Sequence, residues 1–314
     1  MIVTQSPKMR NLIQFAKRVA LSNASILLTG ESGTGKELFA QLIHKTSRRS
    51  SGAFVKVNCA ALPENLIESE LFGHEKGSFT DAVQARAGRF EMANGGTLLL
   101  DEISETGLTT QAKLLRVLEQ SEYERVGGDQ TLRSDVRVIA TSNRELEEEV
   151  GKKQFRLDLF HRLNVIRIQI PALRERPEDI TILAMHFLKR FQDENEIPLR
   201  GFSTQAFKLL AKHDWPGNVR ELRNVIHRAC VLSTSPLIGI ECIEPLRSSG
   251  NSEPGLPEEW LQMKLAELEK RIILAAIEKY GTKRVAAEKL GVSPRTLSNK
   301  IRIYRETNDQ SEAA

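Results

Sequence analysis

Two short stretches carry residues whose types and spacing suit phosphoryl chemistry. The first, GESGTGKE, runs from Gly30 to Glu37, directly behind the apolar run ASILLTG and ahead of a helical pattern. Gly30, Gly33 and Gly35 free the backbone, so the N–H groups of the loop, those of Glu31, Ser32 and Thr34 among them, turn inward around phosphates. Lys36 then reaches the β and γ groups as a point charge. A generic loop of this kind carries Ser or Thr after the lysine to ligate Mg²⁺; here Glu37 stands in that place, so the metal leans on other oxygens and on water. The second stretch, LLLDE at 98–102, sets Asp101 and Glu102 at the C-terminal end of a buried strand, where ligands of open α/β sheets collect. Asp101 suits Mg²⁺, directly or through water, and Glu102 suits the base that orients and deprotonates the water attacking the γ-phosphate. Two carboxylates at a helix start are also favoured by its dipole. Their position 65 residues behind Lys36 favours the catalytic reading.

A different chemistry ends the chain. Residues 281–305 hold seven basic groups against one acid, a net +6, which leaves −2 on the remainder of a chain whose total is +4. Within GTKRVAAEKLGVSPRTLSNKIRIY, Val285, Ala286 and Leu290 are expected to face inward on one helix, and Gly291 to relieve a turn. Ser293 then caps a second helix with Pro294 at its first position. Leu297 and Ile301 pack inward, leaving Arg295, Thr296, Ser298, Asn299, Lys300 and Arg302 for bases and phosphates of double-stranded DNA. A charge run is more often a plain solvated face; turn, cap, proline and charge together point to a helix–turn–helix.

The elements that must position these groups alternate strand and helix. ASILLTG (24–30), FVKVNCA (54–60), GTLLLDEI (96–103), RVIATSN (137–143) and VIRIQI (165–170) read as strands of a parallel sheet covered by helices. From Pro177 the pattern turns helical, and RSSGNSEPGLPEE (247–259) has the composition of a flexible linker. The expected fold class is α/β with a parallel sheet, an all-helical lid and a C-terminal all-α unit. The expected division is 1–172, 173–246, linker 247–259 and 260–314. Leu261, Leu265, Leu268, Ile272 and Ala276 form a helical stripe that serves either a two-fold partner or its own subunit.

Length and composition fit this organisation. A chain of 314 residues exceeds what one core usually organises, and 40% hydrophobic with 27% charged residues excludes a disordered or fibrous protein. Three cysteines without a CxxC, Cys59, Cys230 and Cys242, suit a reducing compartment. Cys59 reads as a buried small hydrophobe, and the six histidines lack metal-binding spacing, so no protein-ligated structural metal is expected. With neither a signal peptide nor an apolar run of about 20 residues, a cytoplasmic protein without membrane contact is expected.

GESGTGKE, VNCAAL (57–62), ESELFGHEKGSFTDA (68–82), GGTLLLDEI (95–103), FRLDLFHRLNV (155–165), LRERPEDI (173–180) and WPGNVREL (215–222) occur in this order. Together they resemble AAA+ ATPases, more narrowly the bacterial enhancer-binding activators of sigma-54 RNA polymerase, and the C-terminal segment is similar to Fis-type DNA-binding domains. The resemblance covers nearly the whole chain, and in that family Glu37 is the usual residue. It implies that Asn58 is a switch restraining Glu102 until γ-phosphate is sensed, Asn143 a first sensor and Arg220 a second sensor on the lid. Arg156 and Arg162 resemble arginine fingers serving the neighbouring subunit, which implies a homo-oligomeric ring, commonly a hexamer. Phe79 and Thr80 match the loop that contacts sigma-54, whereas Ser78 and Asp81 replace the Ala and Gly of its usual pattern. ATP and Mg²⁺, sigma-54 RNA polymerase holoenzyme and enhancer DNA are the implied ligands and partners. No sensory domain precedes Val3, which implies a regulatory protein acting in trans or a shortened chain. Two other readings compete: a DNA-bound regulator of other promoters whose assembly is controlled by nucleotide, favoured by Asp81, and a remodeller of protein substrates, disfavoured by the C-terminal domain.

Overall fold

The structure, a computed structural model, describes residues 2–61, 63–78, 84–195, 199–243 and 265–311. It divides into two compact units, 1–250 and 251–314. The first opens with α1 (Pro7–Ala20), whose leading proline falls where a helix needs no N–H donor. Then follow β1 (Ile26–Thr29), α2 (Lys36–Lys45), β2 (Phe54–Asn58) and α3 (Glu64–Phe72). A short antiparallel pair, β3 (Gly73–His74) and β4 (Arg86–Ala87), precedes α4 (Arg89–Met92) and β5 (Thr97–Asp101). Next come α5 (Leu108–Gln120), a hairpin of β6 (Glu122–Glu124) and β7 (Thr131–Arg133), β8 (Arg137–Ser142), α6 (Leu146–Gly151), α7 (Leu157–Leu163) and β9 (Ile166–Gln169).

The five apolar runs of the sequence form one sheet in the order β2-β5-β8-β1-β9, every neighbouring pair parallel. Pleating sends Leu98, Leu100, Val138 and Ala140 into one core cluster and Leu99, Ile139, Ile26 and Leu28 into another on the opposite face. Both faces are covered, which is why the strands read as unbroken apolar runs rather than alternating ones. Register places Asn58 beside Asp101, so the tips of β2 and β5 end level with each other.

The lid has its own core, built on α8 (Glu178–Asn195), α9 (Thr204–Lys212) and α10 (Asn218–Leu232). Trp215 is fully buried there, its indole N–H donating to the Leu210 carbonyl at 3.0 Å. The helical pattern has one addition: β10 (Gly201–Phe202) pairs in parallel with β11 (Leu237–Ile238), a two-residue ladder too short to leave a periodic signal.

The C-terminal unit contains α11 (Leu265–Tyr280), α12 (Lys283–Lys289) and α13 (Pro294–Ser311) around Ile273, Ala276, Ala286, Ala287, Leu297 and Ile301. Ser293 accepts the Thr296 N–H at 3.0 Å, the expected cap of α13. Val285 differs from expectation. It is exposed, and Ala287 takes the inner position, because α12 starts at the Thr282 cap and its inward residues are 286, 287 and 290. The linker 247–259 and Leu261 lie outside the described residues. No helix among the described residues is long and apolar enough to cross a membrane.

Candidate active site

The loop between β1 and α2 is shaped by its glycines. Gly33 sits at φ +79, and a Cβ there would meet the Gly217 carbonyl of the lid at 2.3 Å, so both the turn and the close approach require glycine. Gly35, at φ +104, immediately precedes Lys36 and the N-terminus of α2, where backbone N–H groups and the helix dipole favour anions. The Lys36 ammonium is largely buried and donates to the carbonyls of Gly30 at 2.7 Å and Glu31 at 3.2 Å. Burial lowers its pKa, opposed by the charges of Glu102 and Asp101.

Across from the loop, β5 delivers Asp101 and Glu102. Thr141 of β8 donates to Asp101 Oδ1 at 2.6 Å and accepts the Glu102 N–H at 3.0 Å. Glu102 lies in the left-handed region at φ 58, ψ 51, and its Oε2 is buried with no protein donor. Burial pushes the Glu102 carboxyl up, against the nearby Lys36 charge and together with the Asp101 charge. A base so placed holds its proton more readily than a solvated carboxylate. The acid pair, the lysine and the loop therefore converge.

The other expected residues are distributed around them. Asn58 is exposed at the tip of β2, and its Oδ1 accepts the Ala60 N–H at 2.9 Å; no hydrogen bond joins it to Glu102. Asn143 is exposed just past β8. Arg220 of α10 donates to Ser32 Oγ at 2.8 Å, and its charge acts on both Lys36 and Glu102. Glu37 accepts from Lys56 at 2.7 Å and Gln41 at 3.0 Å, so its carboxylate is engaged toward β2 and along α2. Arg156 forks onto Asp158 at 3.1 and 2.7 Å, and Arg162 donates twice to the Leu118 carbonyl, at 3.0 and 2.9 Å. Both arginines are thus held by their own subunit and lie at exposed positions. Cys59 is buried, and burial pushes its thiol up to about 12, the state of an inert side chain.

Three groups of residues were missed by sequence reasoning. Ile2, Val3, Leu38, Leu183, Phe187 and Val219 help line an apolar cavity of about 90 Å³ beside Thr34 and Gly35. Asn218, fully buried at φ 51, accepts the Leu173 N–H at 2.7 Å and donates to Glu31 Oε2 and the Ser32 carbonyl, each at 3.0 Å. Buried Asp179 accepts from Thr4 Oγ1, Gln5 N and Ser6 N, and pairs with Arg176 at 3.5 Å, while Arg176 donates to the Thr34 carbonyl at 3.0 Å. Their signal was present in LRERPEDI and WPGNVREL, but only the fold shows that these segments meet the phosphate loop.

Phe79 and Thr80 lie outside the described residues. The stem that carries them is described: β3 and β4 pair, and the backbone of Gly73 and Glu75 bonds to Val126 of the β6–β7 hairpin at 2.9 and 3.0 Å. Arg125 joins the two by pairing with Glu75 at 3.0 Å and Glu91 at 2.9 Å. In the C-terminal unit Arg295, Thr296, Ser298, Asn299 and Arg302 are exposed on α13. Lys300 is half-buried and pairs with Glu269 of α11 at 2.7 Å, and the Thr296 hydroxyl lies 2.8 Å from Ser293 Oγ.

Residues 2–169 match the sigma-54 interaction domain, 174–257 the AAA+ ATPase lid domain and 264–304 the Fis family of bacterial regulatory proteins. The chain belongs to the sigma-54-dependent transcriptional activators. It is an AAA+ ATPase of P-loop fold with a Fis-type helix–turn–helix, and its family couples ATP to activation of sigma-54 transcription. It is 49% identical over 310 residues to the regulatory protein AtoC of Escherichia coli, covering 96% of this chain and 67% of that protein. It is 50% identical over 312 residues to the Nif-specific regulatory protein of Klebsiella pneumoniae, covering 96% of this chain and 58% of that one. The crystal structure of NtrX from Brucella abortus in complex with ATP superposes with a TM-score of 0.76 at 35% identity, over 96% of this chain and 69% of NtrX. The chain thus spans between about three fifths and seven tenths of these relatives' lengths.

Proposed function

We propose that this chain hydrolyses Mg²⁺-ATP in a homo-oligomeric ring and uses the cycle to open promoter complexes of sigma-54 RNA polymerase while its C-terminal unit holds enhancer DNA. The observation that carries the reading is the convergence of Lys36, Asp101, Glu102 and Arg220, whose charges act on one another around a single loop. The apolar side chains beside Thr34 and Gly35 offer a surface for the face of a purine ring, and the loop amides suit the phosphates of a nucleotide.

The residues fit a divalent cation. Asp101 has one oxygen fixed by Thr141 and the other without a protein donor among the described residues, and the buried Glu102 Oε2 lies unpaired beside it. Asp101 would hold Mg²⁺, directly or through water, and the ion supplies screening of phosphate charge. Lys36 exchanges the Gly30 and Glu31 carbonyls for β and γ oxygens. Glu102 orients the water and takes its proton, a role its raised pKa suits. Asn58, one strand away from Asp101, restrains Glu102 in one nucleotide state, and Asn143 and Arg220 read the γ-phosphate from the sheet and from the lid. Arg156 and Arg162 leave Asp158 and Leu118 on ring assembly and stabilise charge at the neighbouring nucleotide.

Output follows the chain. Asn58 ends β2, α3 comes next, and β3 opens the stem of the loop bearing Phe79 and Thr80, which contact sigma-54. A nucleotide-dependent shift at Asn58 therefore has one helix to cross. The exposed residues of α13 enter the major groove, where Arg295 and Asn299 read bases and Arg302 meets phosphate.

The test is turnover by the purified chain. ATPase activity rises more than proportionally with protein concentration as rings form, and Glu102→Gln abolishes turnover while retaining ATP binding. Turnover that stays proportional to concentration and survives Glu102→Gln overturns the reading.

A further inference from the structure

Thr141 carries a fully buried hydroxyl beside the acid pair. A threonine hydroxyl has one proton and two lone pairs. Here the proton goes to Asp101 Oδ1 at 2.6 Å, and a lone pair takes the Glu102 N–H at 3.0 Å. The two contacts do different things. The first orients the Asp101 carboxylate and leaves its second oxygen without a protein donor among the described residues. The second stabilises a backbone conformation that residues with a Cβ seldom adopt, since Glu102 sits at φ 58, ψ 51. The Glu105 N–H adds a backbone tie to the same turn, on the Glu102 carbonyl at 3.0 Å. The left-handed turn in its course aims the Glu102 side chain, whose Oε2 is buried with no partner.

We infer that Thr141 is a positioning residue for ATP hydrolysis: one hydroxyl, delivered by the strand next to β5, sets the Asp101 carboxylate and the Glu102 turn together. Asp101 thereby keeps one oxygen for the metal–nucleotide complex and Glu102 keeps its carboxylate for the water. The inference rests on Asp101 and Glu102 forming the catalytic pair. Thr141 acts through these two residues. Sequence reasoning passed over it because RVIATSN reads as an ordinary buried strand, in which a threonine needs no more explanation than its β-branch.

Thr141→Val keeps the shape of the side chain and removes the hydroxyl. In the full chain it is expected to lower kcat by about 10- to 100-fold and to raise KM for Mg²⁺-ATP by about tenfold, as for residues that orient a metal ligand. A second readout is binding of a fluorescent ATP analogue with EDTA and with Mg²⁺. Affinity in EDTA is unchanged by Thr141→Val, whereas the tightening produced by Mg²⁺ falls by about tenfold. Thr141→Ser restores both, and the comparison of Thr141→Ser with Thr141→Ala isolates the hydroxyl again without the β-branch, should the valine variant not fold. Wild-type kcat and wild-type Mg²⁺ response in Thr141→Val overturn the inference, as does a Thr141→Ser variant no better than Thr141→Ala. Glu102→Gln is the parallel control: if it leaves kcat unchanged, the assignment of the catalytic pair fails, which is a separate result.

Discussion

Arg174 forks onto the Glu31 carboxylate, its Nη1 2.8 Å from Oε2, and so joins the lid to the phosphate loop. Arg174 holds the Glu31 carboxyl below its usual range, with the Asn218 amide adding to the effect. Both charged partners are nearly half exposed, so Glu31→Gln is expected to change stability by less than about 1 kcal/mol. Its effect falls on function: KM for ATP rises as the lid loses its grip on the loop. Asn218 behaves differently, because it is fully buried and left-handed. Asn218→Ala is expected to cost about 2–4 kcal/mol, from orphaned buried groups and the unfavourable φ. Denaturant unfolding of the two variants, beside ATP titrations, checks the contrast.

Asp179 ties the segment Thr4 to Ser6 to the lid, and its partner Arg176 reaches the Thr34 carbonyl of the phosphate loop. Both side chains are buried, and burial lowers the Arg176 pKa against the pull of Asp179. Asp179→Ala strands a buried guanidinium and is expected to destabilise the fold by about 3–5 kcal/mol. Circular dichroism against denaturant measures this, and added ATP recovers part of the loss by mass action.

Arg156 and Arg162 are bonded within their own chain, to Asp158 and Leu118. If they act in trans, Arg156→Ala and Glu102→Gln proteins are each inactive alone and regain ATPase activity when mixed, because an intact Glu102 then faces an intact Arg156 at some interfaces. Steady-state turnover of the mixture decides the matter.

On α13, Arg295, Asn299 and Arg302 are exposed, and Lys300 is half-buried and paired with Glu269. Arg295→Ala is expected to weaken binding to the cognate site by about 1–3 kcal/mol, and Arg302→Ala to lower the salt slope of binding by about 1. Lys300→Ala should have the smallest effect of the three on DNA and the largest on unfolding of the C-terminal unit. ATP turnover stays unchanged in all of them. Fluorescence anisotropy at several salt concentrations supplies the comparison.

The sheet, the phosphate loop and the helix–turn–helix were legible because each leaves a local signature: unbroken apolar strands, glycines before a lysine, and a cap with proline. Leu98, Leu99 and Leu100 are adjacent in sequence yet serve two cores, which is the pattern of a strand buried on both faces. The contacts that assemble the site are not local. Asn218 meets Glu31 across 187 positions and Asp179 meets Thr4 across 175, and no spacing rule spans such separations. Thr141 was hidden for a related reason, since its partners belong to the neighbouring strand. Val285 was misplaced because a seven-residue helix offers two nearly equal inward faces until its cap fixes the start.

ATP hydrolysis by this chain is proposed to open sigma-54 promoters. The most direct measurement is open-complex formation by sigma-54 holoenzyme on a promoter carrying the enhancer site, followed by strand reactivity near the start site. Opening is expected with ATP, and none with a non-hydrolysable analogue or with Glu102→Gln or Phe79→Ala. Vigorous ATP turnover without opening, or equal opening at promoters of another sigma factor, would contradict the proposal.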